Sequence, residues 1–238
     1  MNIFSHSGDI GDIIYALPTI KAKGGGELIL FNSPGKTSHG MTEEKVNRIR
    51  PLLELQPYIR SVKWSSNPIE SSLNGFRDHT RRHGSLCDAH LATQGLGWEH
   101  RAEPWLVVDK KVHAFDVIIQ RSPRYNNNNF PWKRIVETYS GNNIGFIGFE
   151  DEYVRFCSSF GDVNLVEANN LLEVTQIIAG SKLYIGNQSS PLAIAHGLFH
   201  NVIMEVATDH NSHHCIFQRM GCIIGWDHKV ILPKLETL

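Results

Sequence analysis

Ser5-His-Ser-Gly-Asp-Ile-Gly-Asp-Ile-Ile-Tyr-Ala-Leu-Pro-Thr-Ile20 decides how the rest of this chain is read. A short apolar segment, residues 1–4, runs into a small turn punctuated by Gly8 and Gly11. Apolar side chains then recur at Ile13, Ile14, Leu17 and Ile20, the i, i+1, i+4, i+7 spacing of one helix face. Strand, tight turn and helix in that order open an α/β sheet domain. Glycine at 8 and 11 lets the backbone bend sharply and lets another molecule approach the peptide groups. Asp9 and Asp12 fall where the strand's carboxyl end meets the helix N-terminus, the position at which such sheets bind ligands.

Two acids in one turn argue against a phosphate cradle there. Free N–H groups at a helix N-terminus attract anions, whereas a neighbouring carboxylate repels them. The three glycines of a dinucleotide fingerprint are also missing. Carboxylates at these positions suit helix capping, or a base facing a neutral hydroxyl; the residues alone leave both open.

Outward from this stretch the same grammar repeats. Glu27–Phe31 reads as a buried parallel strand, and Thr42 caps a helix running to about Leu55. Residues 58–64 read as a third strand. Gly35-Lys36-Thr37 lacks the earlier glycine of a P-loop, since position 30 is Leu. The polar stretch from Asn67 to Arg82, with Arg77, Arg81, Arg82 and nearby His79 and His83, reads as solvated surface, with a basic substrate-facing loop as the alternative. Residues 83–90 begin another helix, and Glu103–Asp109 reads as an edge strand leaving the first domain.

Lys110-Lys111 marks a boundary, giving an N-terminal domain of 1–111 and a C-terminal domain of 112–238. The second half alternates strands at 115–119, 143–148, 163–166, 181–186 and 201–206 with helices near 130–137, 150–160, 170–179 and 191–198. The expected fold is therefore α/β, with two Rossmann-like parallel-sheet domains facing across a cleft, a common place for a ligand. Asn187-Gln188-Ser189-Ser190-Pro191 follows a strand and opens a small-residue helix; its hydroxyls and free N–H groups suit a diphosphate or serve simply as a cap. Arg121, Arg124 and Lys133 surround the first turn of the second domain, and arginine pairs bidentately with phosphate. Glu205, inside the apolar run VIMEV, is placed to hold a sugar or ribose hydroxyl pair.

Composition narrows the partners. Across 238 residues the net charge is −1, so no global basic field advertises nucleic acid. No apolar run reaches 18 residues, so no membrane span is expected. The first residues lack a basic n-region followed by an apolar h-region, so no secretory leader is expected. The four cysteines are scattered without a C-x-x-C pair, which suits reduced thiols and a cytoplasmic location. His210, His213, His214 and Cys215 crowd one loop, but no second ligand cluster accompanies them; a polar loop is expected and no metal.

Three places resemble the glycosyltransferase family 9 group, the ADP-heptose:lipopolysaccharide heptosyltransferases of GT-B fold. Gly11-Asp12 through Leu17-Pro18 is similar to that family's opening G-D…L-P, whose aspartate is the proposed general base. The segment from Arg124 to Phe130-Pro-Trp132 resembles the basic stretch leading to a W-P pair, with Phe in place of the Trp. Leu171 through Asn187 resembles the approach to the family's D-T-G-x-x-H donor turn, with Asn187 for the Asp and Leu192 for the His. The resemblance implies a compact, divergent, metal-independent and inverting glycosyltransferase. Asp12 would be its base and Asp9 an additional acid. Gly11, Arg121, Arg124, Lys133, Asn187, Gln188, Ser189, Ser190 and Glu205 would serve the donor. It needs no cofactor beyond a nucleotide-sugar donor, and its acceptor would be a carbohydrate or other hydroxyl compound. Two rivals stand beside it: a non-catalytic nucleotide-sugar-binding module, and a glycosyltransferase acting on a hydroxymethylated base in DNA.

Overall fold

The computed structural model describes residues 2–33, 40–67, 72–78, 85–207 and 216–238. Two compact units emerge, Met1–Asp109 with Asn169–Leu172, and Lys110–Ala168 with Glu173–Leu238. The His210–Cys215 loop and the Gly35–Thr37 stretch lie outside the described residues, as do His79, Arg81, Arg82 and His83. Among the described residues no group of three or more His, Cys, Asp or Glu is placed to hold a metal ion. None of their helices is long and apolar enough to cross a membrane.

The first unit carries a parallel three-stranded sheet ordered β1-β2-β3, from Ile3–His6, Gly26–Phe31 and Ile59–Ser65. Helix α1, Ile10–Ala22, buries Ile13, Ile14, Leu17 and Ile20, the face that the sequence spacing marks. Helix α2, Glu43–Glu54, starts from a Thr42 side chain that accepts the Lys45 N–H, and α3 spans Leu86–Thr93. The expected edge strand at Glu103–Asp109 does not form. That segment has no regular secondary structure, with Trp105 and Leu106 buried, and side chains replace the ladder. Gln56 Oε1 accepts the Val107 N–H at 2.9 Å, Gln56 Nε2 donates to Val107 O at 3.2 Å, and Tyr58 Oη donates to Trp105 O.

The second unit carries a parallel six-stranded sheet ordered β6-β5-β4-β7-β8-β9. Its strands are β4 Val117–Gln120, β5 Ile144–Phe146, β6 Asn164–Leu165, β7 Leu183–Gly186, β8 Val202–Glu205 and β9 Cys222–Gly225. Counted from its own first strand this is the doubly wound order 3-2-1-4-5-6, whose switch point falls between β4 and β7. Helices α4 (Trp132–Thr138), α5 (Glu150–Phe160), α6 (Leu171–Gly180) and α7 (Ser190–Gly197) connect the strands. Strand β9 was not expected; it continues the sheet beyond β8, pairing Ile203 with Ile223. Val117, Ile119, Trp132, Ile135, Phe146, Phe156, Ile185 and Ile203 share one buried cluster. That core fixes the strand ends from which the polar turns project.

Candidate functional site

At the end of β1 the chain turns through Ser7 and Gly8 into α1, which begins at Ile10. Asp9 is the N-cap and Asp12 the third helical residue. Gly11 therefore lies inside the first helical turn rather than in the preceding loop, a correction to the sequence reading. Asp12 does cap: its Oδ2 accepts the Asp9 N–H at 3.2 Å, satisfying one of the orphan donors of a helix start. The same oxygen faces Arg77 Nη2 at 3.6 Å, with side-chain exposures of 20% for Asp12 and 28% for Arg77. The carboxylate thus reaches solvent while a cation holds it.

Arg77 belongs to a segment that the sequence suggests is solvated, and here the structure differs. Leu73 and Phe76 are buried, and residues 72–74 strap the β1 turn down. Ser5 N–H donates to Ser72 Oγ at 3.0 Å, Ser7 N–H to Asn74 Oδ1 at 3.1 Å, and Asn74 Nδ2 to Ser7 Oγ at 2.6 Å. Arg77 stacks over the Phe76 ring, 4.6 Å from its centroid.

In the second unit the turns after β4 and β7 meet at the switch point, where a doubly wound sheet binds its ligand. Asn187, wholly buried, joins them. Its Nδ2 donates to Ser122 O at 3.0 Å, Arg124 O at 2.8 Å and Asn126 Oδ1 at 2.9 Å, and its Oδ1 accepts the Ser122 N–H at 3.0 Å. Asn187 is therefore consumed inside the protein. Ser189 Oγ accepts the Leu192 N–H at 3.4 Å to cap α7, and lies 2.6 Å from the amide of Gln120. Ser190 is half-buried at the first turn of α7. The Gln188 Oε1 is buried with no hydrogen-bond partner among the described residues.

Glu205 ends β8 with its side chain fully covered. It accepts the Asn127 N–H at 2.7 Å and pairs with Arg121 through Nε (3.2 and 3.3 Å) and Nη2 (3.2 Å). Burial pushes its carboxyl above the ordinary range, against the opposing pull of Arg121 and of the Asn127 N–H. Arg121 Nη1 makes no hydrogen bond among the described residues. The Arg121 residue lines a pocket of about 390 Å³ together with Ser122, Asn126, Glu152, Arg155 and Ser159, among others. The pocket thus presents two guanidinium groups, each already paired with a carboxylate (Arg121 with Glu205, Arg155 with Asp151), together with serine hydroxyls and the Glu152 carboxylate.

Other expected donor residues stand apart. Arg124 is exposed over the ring of its neighbour Tyr125, 5.4 Å from the centroid. Lys133 is exposed on α4 and does not line the pocket. Sequence reasoning missed Asn127, Gln120, Glu152 and Arg155. The run of four asparagines beside a strand end was the available signal for Asn127: its Nδ2 ties Val206 O (2.9 Å) and Trp226 O (2.7 Å) to the β4 loop.

No protein-family model and no curated protein sequence matches this chain. Solved structures do match its fold. Escherichia coli heptosyltransferase WaaC aligns with a TM-score of 0.53 at 10% identity over 94% of this chain and 92% of that one. A glycosyl transferase family 9 protein from Veillonella parvula aligns with a TM-score of 0.60 at 11% identity, over 93% and 85%. Escherichia coli ADP-heptose lps heptosyltransferase II gives 0.51 at 11% identity, over 94% and 90%. The fold is thus the GT-B-like fold of these glycosyltransferases. The family resemblance seen in the sequence has its counterpart in structure, though identity this low carries the fold alone.

Proposed function

We propose that this protein is a glycosyltransferase that moves a sugar from a nucleotide-sugar donor to a hydroxyl acceptor. The observation that carries the reading is the place of Asp12. A solvent-reaching carboxylate stands at the first strand-to-helix turn of a chain whose fold follows heptosyltransferase WaaC over 94% of its length. In the reaction the acceptor oxygen bonds to the anomeric carbon as the bond from that carbon to the diphosphate oxygen breaks. The acceptor proton passes to Asp12, and the nucleoside diphosphate leaves with the electron pair. One displacement inverts the anomeric centre. General-base help of this kind is worth about 10²–10⁴ in rate.

The second unit supplies the donor site. Arg121 Nη1, Arg155 and the serines of the pocket meet the diphosphate. The N–H groups at the start of α7, with Ser190, add positive potential where negative charge develops. This is the service a metal ion gives in other transferases. Glu205 is turned inward, so we assign it to orienting Arg121 rather than to touching a ribose. Glu152 lines the pocket and is the better candidate for a ribose or sugar hydroxyl. Its Oε2 already accepts the Phe149 N–H at 2.9 Å, and a carboxylate oxygen takes more than one donor.

Adenine nucleotides are the first donors to test, because WaaC structures hold ADP and an ADP-heptose analogue. A ligand that binds only the folded state raises the melting temperature by mass action. We expect a nucleoside diphosphate and its sugar conjugate to raise Tm. Mass spectrometry should then show either transfer or slow donor hydrolysis that Asp12→Asn abolishes. No shift with any nucleotide or nucleotide sugar would remove the proposal. A shift without turnover would favour the second reading, a nucleotide-sugar-binding module. The internal use of Asn187 supports that reading, since it withdraws one expected donor contact.

A further inference from the structure

We propose that His6 is a positioning residue for Asp12: its imidazole Nδ1 holds the Gly8 amide, and through that peptide it sets where the Asp12 carboxylate stands. The inference rests on reading Asp12 as the base and adds a residue to that machinery.

His6 is the last residue of β1 and is fully buried. Its Nδ1 lies 2.7 Å from the Gly8 nitrogen. A backbone N–H only donates, so Nδ1 must carry a lone pair and the proton must sit on Nε2; an imidazolium offers no acceptor at all. The surroundings favour the neutral ring. Burial is the largest influence lowering its basicity, followed by the neighbouring His90 and Arg77. The ring also has little room to turn. It stacks with Phe76 at 5.6 Å and 21°, and tilts against His90 at 5.2 Å, while Phe76 and His90 stack at 4.1 Å.

Gly8 transmits this placement to the carboxylate. A Cβ at Gly8 would fall on the His6 ring, and also 2.7 Å from Asp12 Cβ and 2.8 Å from Asp12 Oδ2. The His6 ring and the Asp12 side chain therefore both close on the Gly8 backbone and leave no room there for a side chain. The next peptide carries the Asp9 N–H that Asp12 Oδ2 accepts. Rotating the Gly8 amide away from His6 thus displaces the very donor that orients the carboxylate. Acceptance of the i+2 N–H by a side chain is the geometry of an Asx turn. Asparagine can reproduce it at position 6 and phenylalanine cannot, although phenylalanine fills the ring's space.

The test compares wild type, His6→Phe and His6→Asn, with two readouts. The first is the carboxyl titration of Asp12, followed by carbon-13 NMR in all three proteins. It should move upward in His6→Phe, as the Asp9 donor and Arg77 lose their alignment, and return toward wild type in His6→Asn. The second is steady-state transfer. kcat should fall about 10²-fold in His6→Phe with donor KM unchanged, as expected of a sub-ångström-to-ångström misplacement, and His6→Asn should recover most of it. An Asp12 titration identical in all three proteins overturns the proposal, as does equal loss of kcat in Phe and Asn variants. If wild type transfers no sugar, the functional reading fails, and the Asp12 titration still decides whether His6 positions it.

Discussion

Removing Arg121 exposes the logic of the second unit most directly. Glu205 is wholly covered and Arg121 only 17% exposed, with three N–H···O contacts of 3.2–3.3 Å between them. Taking one member from a buried pair costs about 3–5 kcal/mol, because the survivor keeps its desolvation penalty. The exposed edge of Arg121 admits some solvent screening, so about 3 kcal/mol is the expected cost of Arg121→Met near neutral pH. At roughly 2–4 °C per kcal/mol for a chain of this size, the second unit should melt about 6–12 °C lower. The pH dependence fixes the cause. Burial already holds the Glu205 carboxyl above its ordinary range in the folded state, and losing Arg121 raises it further. An acid whose folded pKa is raised destabilises the fold progressively as pH climbs from the unfolded value, about 4.3, to the folded one; the penalty is complete above the folded pKa and vanishes below the unfolded value. The deficit of Arg121→Met should therefore be largest at pH 8 and shrink steadily toward pH 4.5, measured by denaturant unfolding. Arg121→Met/Glu205→Gln should recover at least half of it, since Gln still accepts the Asn127 N–H. A deficit independent of pH, or a double variant no better than the single, would refute the argument.

Asp12→Asn keeps an oxygen to accept the Asp9 N–H, so stability should change by less than about 1 kcal/mol, while transfer falls about 10²–10⁴-fold; denaturation and initial rates together check this. Gly8→Ala forces a Cβ onto His6 and Asp12 and should cost about 1–3 kcal/mol, read from its unfolding midpoint. Asn187→Asp exchanges three donated hydrogen bonds for a buried charge facing two carbonyl oxygens. It should lose roughly 3 kcal/mol at pH 7 and regain part of it in acid. Arg155→Ala, at an exposed pocket edge, should leave Tm within about 1 °C and weaken nucleoside diphosphate binding about tenfold by titration calorimetry.

Much of the fold is legible because parallel strands covered on both faces must be continuous apolar runs, and ELILF, DVIIQ and LYIG are just that. Helix α1 is legible from four apolar positions. What periodicity does not carry is hydrogen bonding by side chains. Residues 103–109 look like a strand, yet Gln56 and Tyr58 occupy the backbone groups that a neighbouring strand would take. Strand β9 is only four residues long, too short for its apolar pattern to stand out. At the candidate site the position of Asp12 in the first turn of α1 was legible from the strand–turn–helix pattern, and its capping of the Asp9 N–H is what acids at helix starts commonly do. The contacts of Asn127 and Arg77 were not, since each meets a partner distant in sequence, and the His6 contact with the Gly8 N–H, though only two residues away, depends on a buried ring orientation that no spacing reports. Glu205 was visible as an acid in an apolar run, but not its partner 84 residues away.

The choice between amides and carboxylates follows the charge each turn must tolerate. Asn187, Asn127 and Gln120 pin the loops around β4 and β7 with groups that both donate and accept, adding no charge beside a pocket lined by Arg121 and Arg155. An aspartate at 187 could hold the Ser122 N–H but none of the three acceptors now served by Nδ2, and its charge would repel a diphosphate. Glu205 is the exception that supports the rule. Its carboxylate is enclosed by Arg121 Nε and Nη2 and by the Asn127 N–H. In the first unit the turn carries Asp9 and Asp12 openly, restrained by Arg77 and a helix start. Carboxylates repel a phosphate but accept a proton from a neutral hydroxyl. Acids kept out of the turns after β4 and β7, and two placed in the turn after β1, support the proposed assignment of an anionic donor to the former and an alcohol acceptor to the latter.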